Sequence, residues 1–157
     1  MSSETLNYNP MHTLATTFRL AQFAAHDFHQ RVSGRTFLTD HAFFAELYET
    51  YETAYDHLIE RMIGLGETVS PSQLTYIAAQ RAEAFRDKNE ADDMYAALMT
   101  LERSICREID TLLMAREIDE DDRSEGESLI TTGVENLLQG MSDESEVRQY
   151  KFKQRLK

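Results

Sequence analysis

Three of the chain's five histidines, His26, His29 and His41, fall in one short stretch, HDFHQRVSGRTFLTDH. Imidazole and carboxylate are the side-chain ligands that suit iron, manganese and zinc. Carboxylates follow in YDHLIER, where Asp56 and Glu60 stand four residues apart and so project from one face of any helix that carries them. Taken singly, a helical histidine reads as an ordinary polar residue and an Asp/Glu pair as an exposed acidic face. What makes the group worth following is Ser33-Gly34, a break between His29 and His41 at which one helix can end and another begin.

The elements that would hold these residues are readable from apolar spacing. Met11, Leu14, Phe18, Ala21, Ala25, Phe28 and Val32 recur in steps of three and four, which predicts a first helix over roughly 10–33. Thr39 or Asp40 can cap a second, striped by Phe44, Tyr48, Tyr51, Tyr55, Leu58, Met62 and Leu65 and closed by Gly64 and Gly66. SPSQLTYIAAQ predicts a short helix with Ser70 as cap and Pro71 at its first position. A third long helix spans about Asp92 to Ile118, striped by Met94, Leu98, Leu101, Ile105 and Leu112, and Cys106 abuts that stripe as a core thiol. Ile130, Val134, Leu137, Leu138 and Met141 give a weaker fourth helix ending near Met141, with 142–157 read as a charged tail. Four long helices with a long connection between the second and third make an all-α, ferritin-like four-helix bundle with a short extra helix in the crossover.

In that arrangement an antiparallel hairpin of the first two helices brings His29 and His41 to one end, with His26 one turn deeper and opposite Ala45. Asp56 cannot join them within one chain, because fifteen residues of helix separate it from His41 by ~22 Å. Symmetry supplies a route. If two chains pack their second helices antiparallel about a two-fold axis, His29 and His41 of one face Asp56 and Glu60 of the other, and each dimer holds two equivalent sites.

The stretch FHQRVSGRTFLTDHAFFAELYETYETAYDHLIERMIGLG resembles the Dps family, the mini-ferritins that protect DNA during starvation. Their pattern falls without a gap on His29, Gly34, Phe37, His41, Tyr48, Asp56, Glu60, Arg61, Leu65 and Gly66. The resemblance implies a hollow homo-dodecamer that oxidises Fe(II), preferably with hydrogen peroxide, at sites shared between subunits, and stores Fe(III) inside. It assigns His29 and His41 as ligands from one chain and Asp56 and Glu60 from its neighbour. It also sets Asp119, Glu120, Asp121 and Asp122 near a negatively lined pore through which iron would pass, and Glu46, Glu49 and Glu52 near the cavity. Two positions depart from the pattern: Gln30 replaces a tryptophan, and Ala45 replaces an acidic ligand. His26 is placed to supply the ligand that Ala45 lacks, and a nitrogen-rich site would admit Zn(II) as a competitor. The rival expectation is a non-catalytic cage or structural bundle with a degenerate metal site. A ferritin of the classical type is disfavoured because the chain contains no Glu-x-x-His.

Composition bounds the alternatives. With 157 residues, two prolines and six glycines, one helical domain is the simplest organisation. No run is long and apolar enough for a membrane span, no leader is evident in the first twenty residues, and a lone Cys106 fits a cytoplasmic protein. CxxC pairs, Gly-rich phosphate loops and Ser/His/Asp arrangements are missing. A net charge of −12 repels polyanions and attracts cations. Only Arg148, Lys151, Lys153, Arg155 and Lys157 oppose that charge, so DNA binding through the tail is expected to be weak and salt-sensitive.

Overall fold

The computed structural model describes residues 10–121 and 130–157, with 117–121 described as backbone only. Helix α1 runs Pro10–Arg31, α2 Phe37–Gly64, α3 Pro71–Ala82, α4 Ala91–Asp121 and α5 Thr132–Arg155, with a short 3-10 turn at Glu83–Phe85 after α3. The fold is all-α, and no strand occurs among the described residues.

Side-chain contacts fix the directions of the four long helices. Thr17 donates to Glu108 near one end, while Arg31 reaches Asn89 and the Lys88 carbonyl at the other, so α1 and α4 are antiparallel. Asp40 pairs with Tyr95 and Tyr51 with Glu102, so α2 and α4 run parallel. Arg148 meets Glu102 and Arg155 meets Asp92, which sets α5 antiparallel to α4. Two consecutive long helices can be parallel only if the chain returns the length of the molecule between them. Residues 65–90 make that return, and α3 packs along α1 on the way, with Arg19 bonded to Thr75 and its guanidinium over the Tyr55 ring.

The stripe expected on the first helix is buried at every position, from Met11 to Val32. Phe44, Tyr51, Leu58 and Met62 from α2 join Met94, Leu98, Ile105 and Leu112 from α4 in the same cluster. Leu65, expected to end the α2 stripe, is 43% exposed instead, because the helix has already stopped at Gly64.

The last helix differs most from expectation. It does not end near Met141 but continues to Arg155, so the tail is helical and packed. Its buried positions are Val134, Leu138, Met141, Ser145, Arg148 and Phe152, an unbroken alternation of four and three. The apolar signal fades because two of those positions are polar, and they are polar because Glu102 of α4 lies opposite, fully buried. Its carboxylate accepts from Tyr51 Oη at 2.6 Å, Ser145 Oγ at 2.5 Å, Arg148 Nε at 2.5 Å and a second Arg148 nitrogen at 3.2 Å. A buried carboxylate is tolerated only when its charge is matched and its lone pairs are occupied, and here both conditions hold. Cys106 borders the same cluster, half-buried, with Sγ bonded to Ser145 at 3.3 Å.

Candidate metal site at the α1–α2 turn

Gly34 takes φ = +103°, a conformation that residues with a side chain rarely adopt, and this lets five residues turn α1 into α2. The turn is held across its mouth by the two histidines. His29 Nδ1 donates to the His41 carbonyl at 2.7 Å, and His41 Nδ1 donates to the His29 carbonyl at 2.7 Å. The His29 carbonyl is among the last four of α1, which have no intrahelical donor, so His41 fills a vacancy that the helix end creates.

This reciprocal clasp has a chemical consequence. A carbonyl can only accept, so Nδ1 of each ring carries a proton, and in the neutral ring Nε2 then holds the lone pair. Fixing the tautomer through the other nitrogen is how metal-ligating histidines are commonly oriented. The rings stack with centroids 3.8 Å apart and planes 16° from parallel. A ligating imidazole holds its metal in the ring plane at about 2.1 Å from nitrogen. Two rings stacked this closely have no shared in-plane point at that distance, so each would address its own ion.

Other rings extend the stack. Phe37 covers the outer face of His41 at 4.8 Å, Tyr48 meets the edge of His29 at 5.5 Å, and His26 lies over Tyr48 at 4.4 Å. His26 is exposed, and its centroid is 6.4 Å from that of His29. With a metal–nitrogen bond of about 2.1 Å, two imidazoles that far apart could share an ion only on a nearly straight line. His26 therefore stands beside the pair and is better placed for an ion of its own.

Asp56 and Glu60 are both exposed on α2, well down the helix from the clasp. Among the described residues of one chain, no three His, Cys, Asp or Glu side chains converge closely enough to hold a metal. The structure thus brings His26, His29 and His41 to one end of the α1–α2 hairpin and leaves Asp56 and Glu60 apart from them.

Thr36, and not Thr39 or Asp40, occupies the cap position of α2, and Asp40 beside His41 instead anchors a buried network. Asp40 is 1% exposed; its carboxylate accepts from Thr36 Oγ1 at 2.5 Å, Tyr95 Oη at 2.8 Å and Arg155 at 3.1 Å. Burial pushes the Asp40 carboxyl upward, but the bonds from Arg155, Thr36 and Tyr95 outweigh it and hold the group below its usual range. Burial, reinforced by Asp40, raises the Tyr95 phenol. A signal was present: Asp40 precedes Phe44 by four residues and is in phase with the buried stripe, where a carboxylate must find a partner.

Arg148 and Arg155 are thereby committed to internal carboxylates, and Lys151 lies over the Phe43 ring. Of the five basic residues expected on a loose tail, Lys151 and Lys153 remain on the helix and Lys157 lies just beyond its end. Between α2 and α5 lies a groove lined by Glu46, Glu49, His57, Glu144, Leu137 and Met141, among others. Glu52 is exposed outside it. Of the acidic cluster, Asp119, Glu120 and Asp121 fall on the last turn of α4, which runs beyond the expected end at Ile118. Their side chains, and Asp122, lie outside the described residues. No helix among the described residues is long and apolar enough to cross a membrane.

No family model matches the chain, and no curated protein is significantly similar to it.

Proposed function

We propose that this chain is a Dps-like mini-ferritin, in which Fe(II) is the substrate and is oxidised at sites shared between two subunits. The observation that carries the reading is the His29–His41 clasp, which frees two tautomerically fixed imidazoles at the end of a ferritin-like sequence of helices. The helix directions support it, since a parallel α2 and α4 joined by a long crossover is the connection of ferritin-like bundles.

Assembly supplies the carboxylates. Pairing α2 antiparallel with its copy, in the register that sets His41 opposite Glu60, also sets Ala45 opposite Asp56 and Leu38 opposite Ile63. Leu38 is 82% and Ile63 55% exposed in the single chain, and that register covers both. The closed shell would be a homo-dodecamer, with the acidic α2–α5 groove available to collect product.

In the reaction, one Fe(II) binds each stacked imidazole, and Asp56 and Glu60 of the second copy complete and bridge the pair. Two ions about 4 Å apart suit a two-electron oxidant. Hydrogen peroxide takes one electron from each Fe(II), its O–O bond breaks, and both oxygens leave at the oxidation level of water. No one-electron step is left over to release hydroxyl radical. The carboxylates stabilise Fe(III) by charge, and protons are lost to solvent as the ferric product hydrolyses. Without an acid at Ala45 the second ion has fewer anionic ligands, and His26, standing beside the pair, offers a competing Zn(II) a nitrogen donor of its own.

Subunit mixing tests the shared site. His29→Ala/His41→Ala and Asp56→Asn/Glu60→Gln chains should each be inactive alone. Refolded together, they should regain oxidation, because a mixed dimer contains one intact site. Failure to complement despite proven mixing excludes the reading. The rival, an inert helical bundle, draws on Ala45 and predicts no Fe(II) oxidation by the unmodified protein.

A further inference from the structure

We propose that Arg155 is a positioning residue for His41, holding the metal-facing turn from the opposite end of the chain. The inference rests on the functional reading above but concerns the geometry of the clasp itself.

Helix α2 begins without a local cap. Thr36 occupies the cap position, yet its hydroxyl bonds none of the first-turn backbone N–H groups and instead donates to the Asp40 carboxylate. The start of the helix is thus tied to itself only through Asp40, the residue next to His41. Arg155 closes this arrangement. Nε donates to Asp40 Oδ1 at 3.1 Å, and one terminal nitrogen donates to Asp40 Oδ2 at 3.1 Å and to Thr36 Oγ1 at 3.1 Å. The other terminal nitrogen reaches Asp92 at 2.9 Å. A single guanidinium therefore spans the cap residue of α2, its buried first-turn carboxylate and the first turn of α4, while its planar face lies over the Tyr95 ring at 5.1 Å.

The planar fork matters. An ammonium is a point donor and cannot hold Asp40 bidentately while also reaching Asp92. With Arg155 removed, Asp40 would keep only two hydroxyl donors for a buried charge, and the first turn of α2 would relax toward water. The clasp permits little such movement. His41 takes part through both its ring and its carbonyl, so a shift of its backbone breaks both 2.7 Å bonds and slides the stacked rings. Supporting partners of this kind typically change metal affinity by about ten- to a hundredfold.

The test uses the full-length protein with histidine rings labelled for NMR, first without metal. Stacking shifts the ring protons of His29 and His41 upfield. Arg155→Met should move both toward ordinary values, and Arg155→Lys should restore them in part. Val134→Ala, a core change at the far end of α5, should leave them in place even where it lowers the melting temperature. Fe(II) oxidation should then show KM raised about tenfold or more in Arg155→Met, against little change in kcat. Unchanged ring signals in Arg155→Met, or equal changes in Val134→Ala, overturn the proposal. A wild-type protein that oxidises no iron would sink the functional reading, while the ring signals would still decide the role of Arg155.

Discussion

Helix α2 carries both halves of the proposed site, and the two are built in opposite ways. At its start, His41 is bonded through ring and carbonyl, stacked on both faces and backed by a buried carboxylate that Arg155 locks. Toward its end, Asp56 and Glu60 stand exposed, with no partner among the described residues of their own chain. The imidazoles are pre-organised by the fold of the single chain, so their ordering entropy is met during folding; the carboxylates have no such support among the described residues, and in the proposed assembly a neighbour and a metal would order them. A site divided in this way stays inert in the isolated chain.

The largest effect that would break this contrast concerns the two halves directly. His41→Ala should lower metal affinity at least a hundredfold and also destabilise the subunit by about 1–3 kcal/mol, since a helix-end bond and an aromatic stack are lost together. Asp56→Asn should abolish oxidation as completely, yet change unfolding free energy by less than about 0.5 kcal/mol, as exposed positions do. Denaturant titration of metal-free protein checks both. Equal destabilisation would mean that Asp56 already has a structural partner.

A smaller effect sharpens the histidine half. His26→Ala should weaken Zn(II) binding about tenfold and leave Fe(II) oxidation nearly intact, because His26 stands beside the clasp at 6.4 Å and not within it. Calorimetric Zn(II) titration measures the change. If Fe(II) oxidation falls as far as in His41→Ala, the two histidines belong to one ion and the geometric separation is wrong.

The smallest effect is a pH dependence at the histidine end. Asp40 has a folded-state pKa below its unfolded value, so its contribution to stability is complete above the ordinary carboxylate range, near 3.9. It is lost as pH falls through the lowered folded value. Arg155→Met should therefore be less stable than wild type at pH 7, and the gap should close on acidification below about pH 4. Melting curves from pH 3 to pH 7 compare the two.

Much of this contrast is legible in the sequence, and most of what is not has one cause. The hairpin, the crossover helix and the positions of His29 and His41 followed from apolar spacing and from Ser33-Gly34. The second half of α5 and the role of Asp40 did not, because both depend on charges buried against charges. Arg148 and Ser145 interrupt an apolar stripe only to someone who cannot yet see Glu102 opposite them. Asp40 reads as a surface cap until Arg155 arrives from another helix. Periodicity registers burial through hydrophobicity, and a neutralised ion pair is buried without being hydrophobic. The stacking of the two imidazoles was also out of reach, since it is set by a turn conformation at Gly34 and not by residue type alone.

The clasp and the lock also differ in when they can form. His29 and His41 are twelve residues apart, whereas Arg155 and Asp40 are separated by 115. Closing a short loop carries a smaller entropic penalty than closing a long one, and local contacts form early. On a growing chain, the two imidazoles can face each other once the second helix has emerged. The guanidinium that fixes them is added only after another 115 residues beyond Asp40. Until residue 155 leaves the ribosome, the nascent protein carries the two imidazoles together but unlatched.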